Sequence, residues 1–118
     1  MSNVRILFWT LTSRVRARHV VHASGLTDLT LDPAPPLGLH NVGKVERVLA
    51  ITRATCLVRS AVVQRWLADN GQNVDLIVGV TAPSRGFKAH AWLDREAERH
   101  NSETFTEIAR IRAPRRVQ

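Results

Sequence analysis

The chain has 118 residues, of which 44% are apolar and 23% charged; that is one domain with a real core, not a disordered segment. The net charge of +7, from 17 basic and 10 acidic side chains, attracts acidic partners. No run nears the roughly 20 apolar residues of a membrane span, and the single cysteine excludes an intrachain disulfide. The N-terminus does not read as a secretory signal, because Arg14, Arg16 and Arg18 follow the short apolar run Ile6 to Leu11 where small cleavage-site residues are expected. A cytoplasmic protein is expected.

Asn3 to Val21 reads as a basic amphipathic helix packed on the core. Its apolar residues are Ile6, Leu7, Phe8, Trp9, Leu11 and Val15, while Thr10, Thr12 and Ser13 weaken the helical preference. Binding a partner or a membrane surface is the alternative use of such a helix. Residues 24–39 are irregular, since Asp32-Pro33-Ala34-Pro35-Pro36 cannot continue a helix. A short helix from Asn41 to about Thr52 carries Val42, Val45, Val48 and Leu49 at helical spacing.

Thr55 is placed to cap a second, central helix whose first residue is Cys56. This helix runs to about Asn70 and stops at Gly71, a residue suited to a left-handed C-terminal cap. Leu57, Val58, Ala61, Val62, Val63, Trp66 and Leu67 cover more than one face, so the helix is expected to be buried on most sides. Three strands follow: 74–80, 87–94 and 105–112. In the second, Phe87, Ala89, Ala91 and Leu93 face one way, and Lys88, His90, Trp92 and Asp94 the other. The third alternates poorly, with Ile108 and Ile111 its clearest apolar residues; a tail begins at Pro114. The expected class is α+β: one domain over 1–118, with an N-terminal helix and proline-rich connector in 1–40 and the core in 41–112.

Cys56 is the candidate for chemistry. A helix N-terminus carries partial positive charge, which favours thiolate over thiol. A lone cysteine can equally be a small buried hydrophobe; His90, on a later strand, turns the reading. An imidazole facing the thiol can take its proton and return one to a leaving amine, and a third group can orient the ring. Helix with Cys at its start, strand, strand with His, third strand is the order of a papain-like or transglutaminase-like core, a central Cys-bearing helix packed on a small antiparallel sheet. Trp66 is expected in the core, and Trp92 in the core or, preferably, at the cleft rim. Arg59, near Cys56, is left between substrate contact and surface. His19 and His22 sit three apart, but two unsupported histidines make a poor metal site. No cofactor or metal is expected, and no nucleic-acid-binding signature is present.

Arg53-Ala54-Thr55-Cys56-Leu57-Val58-Arg59-Ser60, Gln64-Arg65-Trp66-Leu67, Gly71, Leu76-Ile77-Val78-Gly79-Val80 and Phe87-Lys88-Ala89-His90-Ala91-Trp92-Leu93 together resemble the lasso-peptide leader peptidases, transglutaminase-like cysteine proteases of peptide maturation. The resemblance covers about residues 41–112. It implies removal of a leader peptide from a ribosomally made precursor, with Cys56 as nucleophile and His90 as general base. It further implies a separate small leader-recognition protein, and a macrolactam synthetase that closes the ring afterwards. The N-terminal helix would support the fold or dock the recognition protein.

The family carries an Asp as third member on the strand after the histidine. Counting without gaps lands on Ser102, and no Asp lies beyond Asp94. Asn101 or Glu103 is therefore the expected third member, since an amide or a carboxylate can orient an imidazole. One oxyanion donor is expected from the Cys56 backbone N–H. The competing expectation is a non-catalytic basic module that holds an acidic peptide or nucleic acid.

Overall fold

The computed structural model describes residues 2–24, 30–81, 86, 88–95, 98 and 105–113. Helix α1 (Ser2–Ser24) forms as expected, but the stripe it buries is not the most apolar one. Ile6, Trp9, Thr10, Ser13 and Ala17 face the core, while Val4, Phe8 and Val15 are 66%, 70% and 63% exposed. Small side chains at Thr10, Ser13 and Ala17 let α1 lie close against its neighbours. The Thr10 hydroxyl meets its own hydrogen-bonding need by donating to the Ile6 carbonyl at 2.7 Å. Trp9 anchors the stripe, packing on Trp66 with ring centroids 5.6 Å apart.

The proline-rich connector is irregular, as its sequence dictates, yet it is not a loose linker. The Asp69 carboxylate accepts from the Ala34 N–H at 2.8 Å, and the Asn70 side-chain carbonyl accepts from the Gly38 N–H at 2.8 Å. The Trp9 indole donates to the Asp32 carbonyl at 3.1 Å. These bonds satisfy backbone groups that proline-broken geometry leaves without secondary-structure partners.

Helix α2 (Val42–Ile51) buries Val45 and Leu49. After Thr52 the chain turns through Arg53, whose φ of 56° is in the left-handed region. Helix α3 (Cys56–Asp69) begins one residue after its cap: the Thr55 hydroxyl accepts from the Val58 N–H at 3.3 Å. It ends as its glycine predicts. Gln72 N–H reaches the Leu67 carbonyl at 2.8 Å, Gly71 N–H reaches the Ala68 carbonyl at 3.2 Å, and Gly71 has φ 100°. Val62, Val63 and Trp66 are fully buried and Leu67 nearly so. Burial stabilises such side chains by about 1.5–3 kcal/mol each, so α3 is held by packing more than by intrinsic helix preference.

Strands β1 (Leu76–Val80), β2 (Ala89–Leu93) and β3 (Thr106–Ile111) form an antiparallel sheet in the order β2-β1-β3. Leu76, Ala91 and Leu93 belong to the core with α3, and Val78 and Ile111 pack against it. Gln64 of α3 joins the two sides, its amide donating to the Val74 and Ile111 carbonyls, each at 3.0 Å. The poor alternation of the third strand has a physical cause. Val78 pairs with Ala109 but Gly79 with Glu107, so Ile108 sits in a bulge and is 62% exposed while Ile111 points inward. The expected α+β architecture, a Cys-bearing helix on a small antiparallel sheet with N-terminal helices, is the one observed.

Candidate active site

Cys56 is half-buried at the first position of α3 and packs against the edge of the core. Its position relative to the sheet is fixed one turn further on. Ser60, fully buried, donates its hydroxyl to the Ala91 carbonyl at 3.4 Å. Residues four apart share a helix face with Cβ atoms about 5–6 Å apart. Cys56 therefore stands one turn beyond the point where α3 touches the residue following His90.

His90 lies on β2 opposite Gly79. The alternation is as expected from sequence: Ala91 and Leu93 point into the core beneath α3, and His90 and Trp92 point to the other face. There the half-buried imidazole stacks on Trp92, with centroids 5.8 Å apart and planes 20° apart, and tilts against Phe105 at 5.1 Å. Trp92 is 5% exposed, so it is a buried wall and not a solvent-facing rim. Its room comes from Gly79, where a Cβ would come 2.7 Å from the Trp92 ring and 3.0 Å from Phe105. Among the described residues no hydrogen bond joins the Cys56 thiol to the His90 ring. Helix α3 and strand β2 are in direct contact, with β2 the edge strand of the sheet, but the His90 ring is on the face of β2 turned away from α3, so the expected imidazole facing the thiol is not formed in this arrangement.

The expected third member, Asn101 or Glu103, lies outside the described residues. Phe105, which rests on the imidazole, is two residues after Glu103. Asp94 shares the sheet face with His90 but is engaged by Arg110 at 3.0 Å. Four residues of strand also separate it from His90 by about 13 Å of backbone.

Sequence reasoning left Arg59 unassigned; the structure makes it a brace. Its guanidinium lies 3.7 Å from Glu46 of α2 and 3.4 Å from Glu98. Arg95 completes the ring, reaching Glu46 at 2.8 Å and Glu98 at 2.5 Å. Burial opposes the charge on Arg95, but its hydrogen bonds and attraction to Glu46 and Glu98 outweigh that cost and raise its pKa. Glu98 also accepts from the Leu93 N–H at 3.3 Å. The network ties α2, the first turns of α3 and the end of β2 together, and so holds the helix tip against the histidine strand. No sequence signal links residues so far apart in the chain.

Beside the helix tip is a cavity of about 400 Å³ between α1 and the start of α3, lined by Arg14, Arg18, Val21, His22, Arg53, Ala54, Thr55, Leu57 and Val58. Among the described residues no group of three or more His, Cys, Asp or Glu side chains is arranged to hold a metal ion, and no helix is long and apolar enough to cross a membrane.

No curated protein and no solved structure gives a match to this chain. A family model described as the transglutaminase-like superfamily matches residues 4–111, taking in α1 and the connector as well as the core from residue 41. A match of that extent means that the chain belongs to the transglutaminase-like superfamily, which includes cysteine proteases.

Proposed function

We propose that the chain is a cysteine peptidase that removes the leader from a ribosomally made lasso-peptide precursor. The observation that carries the reading is the capped start of α3: a half-buried thiol one turn from a hydrogen bond to the histidine strand. The Cys56 sulfur, its proton passed to His90, attacks the scissile carbonyl carbon. The C–N bond breaks, and the protonated imidazole gives its proton to the departing amine of the core peptide. Water then attacks the thioester, His90 takes its proton, and the leader leaves as a carboxylate with the thiol restored. The Cys56 N–H is suited to the developing oxyanion. Catalysis by this route requires the His90 ring, which lies with Trp92 and Phe105 on the sheet face away from α3, to be brought around the β2 edge to within hydrogen-bond reach of the Cys56 sulfur.

Asn101 or Glu103 is proposed as the group that orients the ring, on the ground that Phe105, close after both in sequence, packs on His90. A separate leader-recognition protein is proposed to dock on α1. The exposed stripe Val4, Phe8, Leu11 and Val15, flanked by Arg5, Arg16 and Arg18, suits an acidic amphipathic surface. Ring closure then falls to a separate macrolactam synthetase, and the whole sequence takes place in the cytoplasm.

The test is cleavage of a lasso-peptide precursor in the presence of a leader-recognition protein, with the products read by mass spectrometry. Wild type yields free leader and core. Cys56→Ala yields none, and His90→Ala lowers the rate by about 10²–10⁴-fold, the usual worth of a positioned base. Cleavage that survives Cys56→Ala overturns the proposal. The basic cavity favours one competing reading, a non-catalytic module for acidic ligands. That reading requires ligand binding with steep salt dependence and indifference to Cys56→Ala.

A further inference from the structure

Helix α1 is apolar on two sides. Ile6, Trp9, Thr10, Ser13 and Ala17 face the core, and Val4, Phe8, Leu11 and Val15 are exposed. At about 100° per residue, the second set stands roughly 180° around the helix from the first. It is therefore not the rim of the core, and α1 cannot bury both sets against the same neighbours. An exposed apolar row of this kind marks a docking surface. Phe8, Leu11 and Val15 also line a groove of about 880 Å³ that Asp32 of the connector borders.

The row has a period and a polarity. Continued toward the C-terminus it reads Val4, Phe8, Leu11, Val15, Arg18, His22, spaced four and three residues in turn, which is the seam spacing of paired helices. Such a seam is about 27 Å long. Its last two positions are basic. Arg18 and His22 line the cavity between α1 and the start of α3, where Arg14 and Arg53 join them with no carboxylate in the wall. Arg18 and Arg53 have no ion pair among the described residues, whereas Arg16 meets Asp32 at 3.6 Å. One end of the seam thus suits apolar side chains and the other suits acids.

We propose that this face of α1 takes one helix of a partner protein, lying antiparallel to α1, acidic in its first two turns and apolar along the rest of its seam. The inference deepens the docking on α1 put forward above, and rests on that reading only for which protein carries the helix. The seam spacing selects a helix over an extended segment. Acids are most stable in the first turn of a helix, and antiparallel pairing sets that turn against Arg18 and His22 with the two helix dipoles opposed. A second copy of the chain fits poorly, because α1 has four arginines and no Asp or Glu, so two copies repel. A lipid surface is flat. It would leave the groove beside Phe8 and Val15 unfilled and press Asp32 toward anionic headgroups.

The test measures binding of the full chain to two fluorescent synthetic helices of about 20 residues, by anisotropy at low salt. Both peptides carry Leu at their later seam positions; at the first two, one has Glu and the other Gln. The Glu peptide is expected to bind about 5-fold tighter, the worth of two exposed charge pairs, with the gap closing in high salt. Phe8→Gln is expected to weaken both peptides about 10-fold or more. Phe8 is exposed, so the core is untouched. Ile108→Gln, at an exposed apolar residue of the sheet, should change neither. Arg18→Gln combined with Arg53→Asn is expected to make the two peptides bind alike; asparagine tolerates the φ of 56° at position 53. A spin label on the peptide N-terminus should broaden amide NMR signals near His22 and not near Val4. The inference is overturned if neither peptide binds better than a scrambled one, if the wild type binds Glu and Gln peptides alike, or if the broadening falls near Val4. It is equally overturned if Ile108→Gln weakens binding as much as Phe8→Gln. Dimerisation, or binding to phosphatidylglycerol vesicles, that Phe8→Gln abolishes would assign the face to a second copy or to a membrane and overturn it too. Because the readout is binding, a chain that takes the Glu peptide yet cleaves no precursor overturns the peptidase reading alone. A chain that cleaves but takes neither peptide overturns this inference alone.

Discussion

The Ser60 hydroxyl donates to the Ala91 carbonyl at 3.4 Å, a long contact that marks where the first turns of α3 meet the histidine strand. Ser60 is fully buried, and a glycine-sized gap or a longer side chain there would shift the register of helix on sheet. Ser60→Ala is expected to cost about 1 kcal/mol, the usual worth of such a bond. It should also slow leader cleavage by more than the stability loss explains. Urea unfolding and a cleavage assay, run on one preparation, check both. Unchanged cleavage would mean that the bond does not position the site.

Thr55→Ala removes the cap that accepts from the Val58 N–H. The expected cost is about 1 kcal/mol. The first turn of α3 frays as a result, and alkylation of Cys56 should lose any advantage it has over an unfolded cysteine. Thr55→Ser keeps the hydroxyl and should restore both properties.

Gly79→Ala puts a methyl group 2.7 Å from the Trp92 ring and 3.0 Å from Phe105. Neither ring can retreat without disturbing His90, on which both pack. Overpacking of this kind costs about 1–3 kcal/mol. The expected signature is a lower melting temperature together with a change in the imidazole NMR resonances of His90. Loss of stability with no change at His90 would separate the glycine from the site.

Glu98→Gln leaves Arg59 and Arg95 facing a neutral amide. With Glu98 only 7% exposed, the expected loss is about 2–3 kcal/mol, somewhat below that of a fully buried broken pair. The sign of the pH dependence is fixed by Arg95. Its pKa is raised in the folded chain, so its contribution is fully present below the ordinary guanidinium value and is lost only in strong alkali. Any fall in stability between neutral and mildly alkaline pH must come from another group. Denaturant titrations of wild type and variant across that range test the assignment.

Much of this protein was legible in the chain itself. Thr55 before Cys56 and Gly71 after Asn70 bound α3 to within a residue, because capping is a local matter of one hydroxyl and one left-handed glycine. Alternation alone sets His90 and Trp92 against Ala91 and Leu93, because side chains on a strand change sides at every residue. Only tertiary structure decided which stripe of α1 is buried. Hydrophobicity alone would favour Phe8 and Val15, but close packing selected Thr10, Ser13 and Ala17. The same is true of the Arg59 and Arg95 brace, the room Gly79 makes for Trp92, and the arginine-lined cavity between α1 and the start of α3. Each joins residues far apart in sequence, where neither periodicity nor local preference carries information.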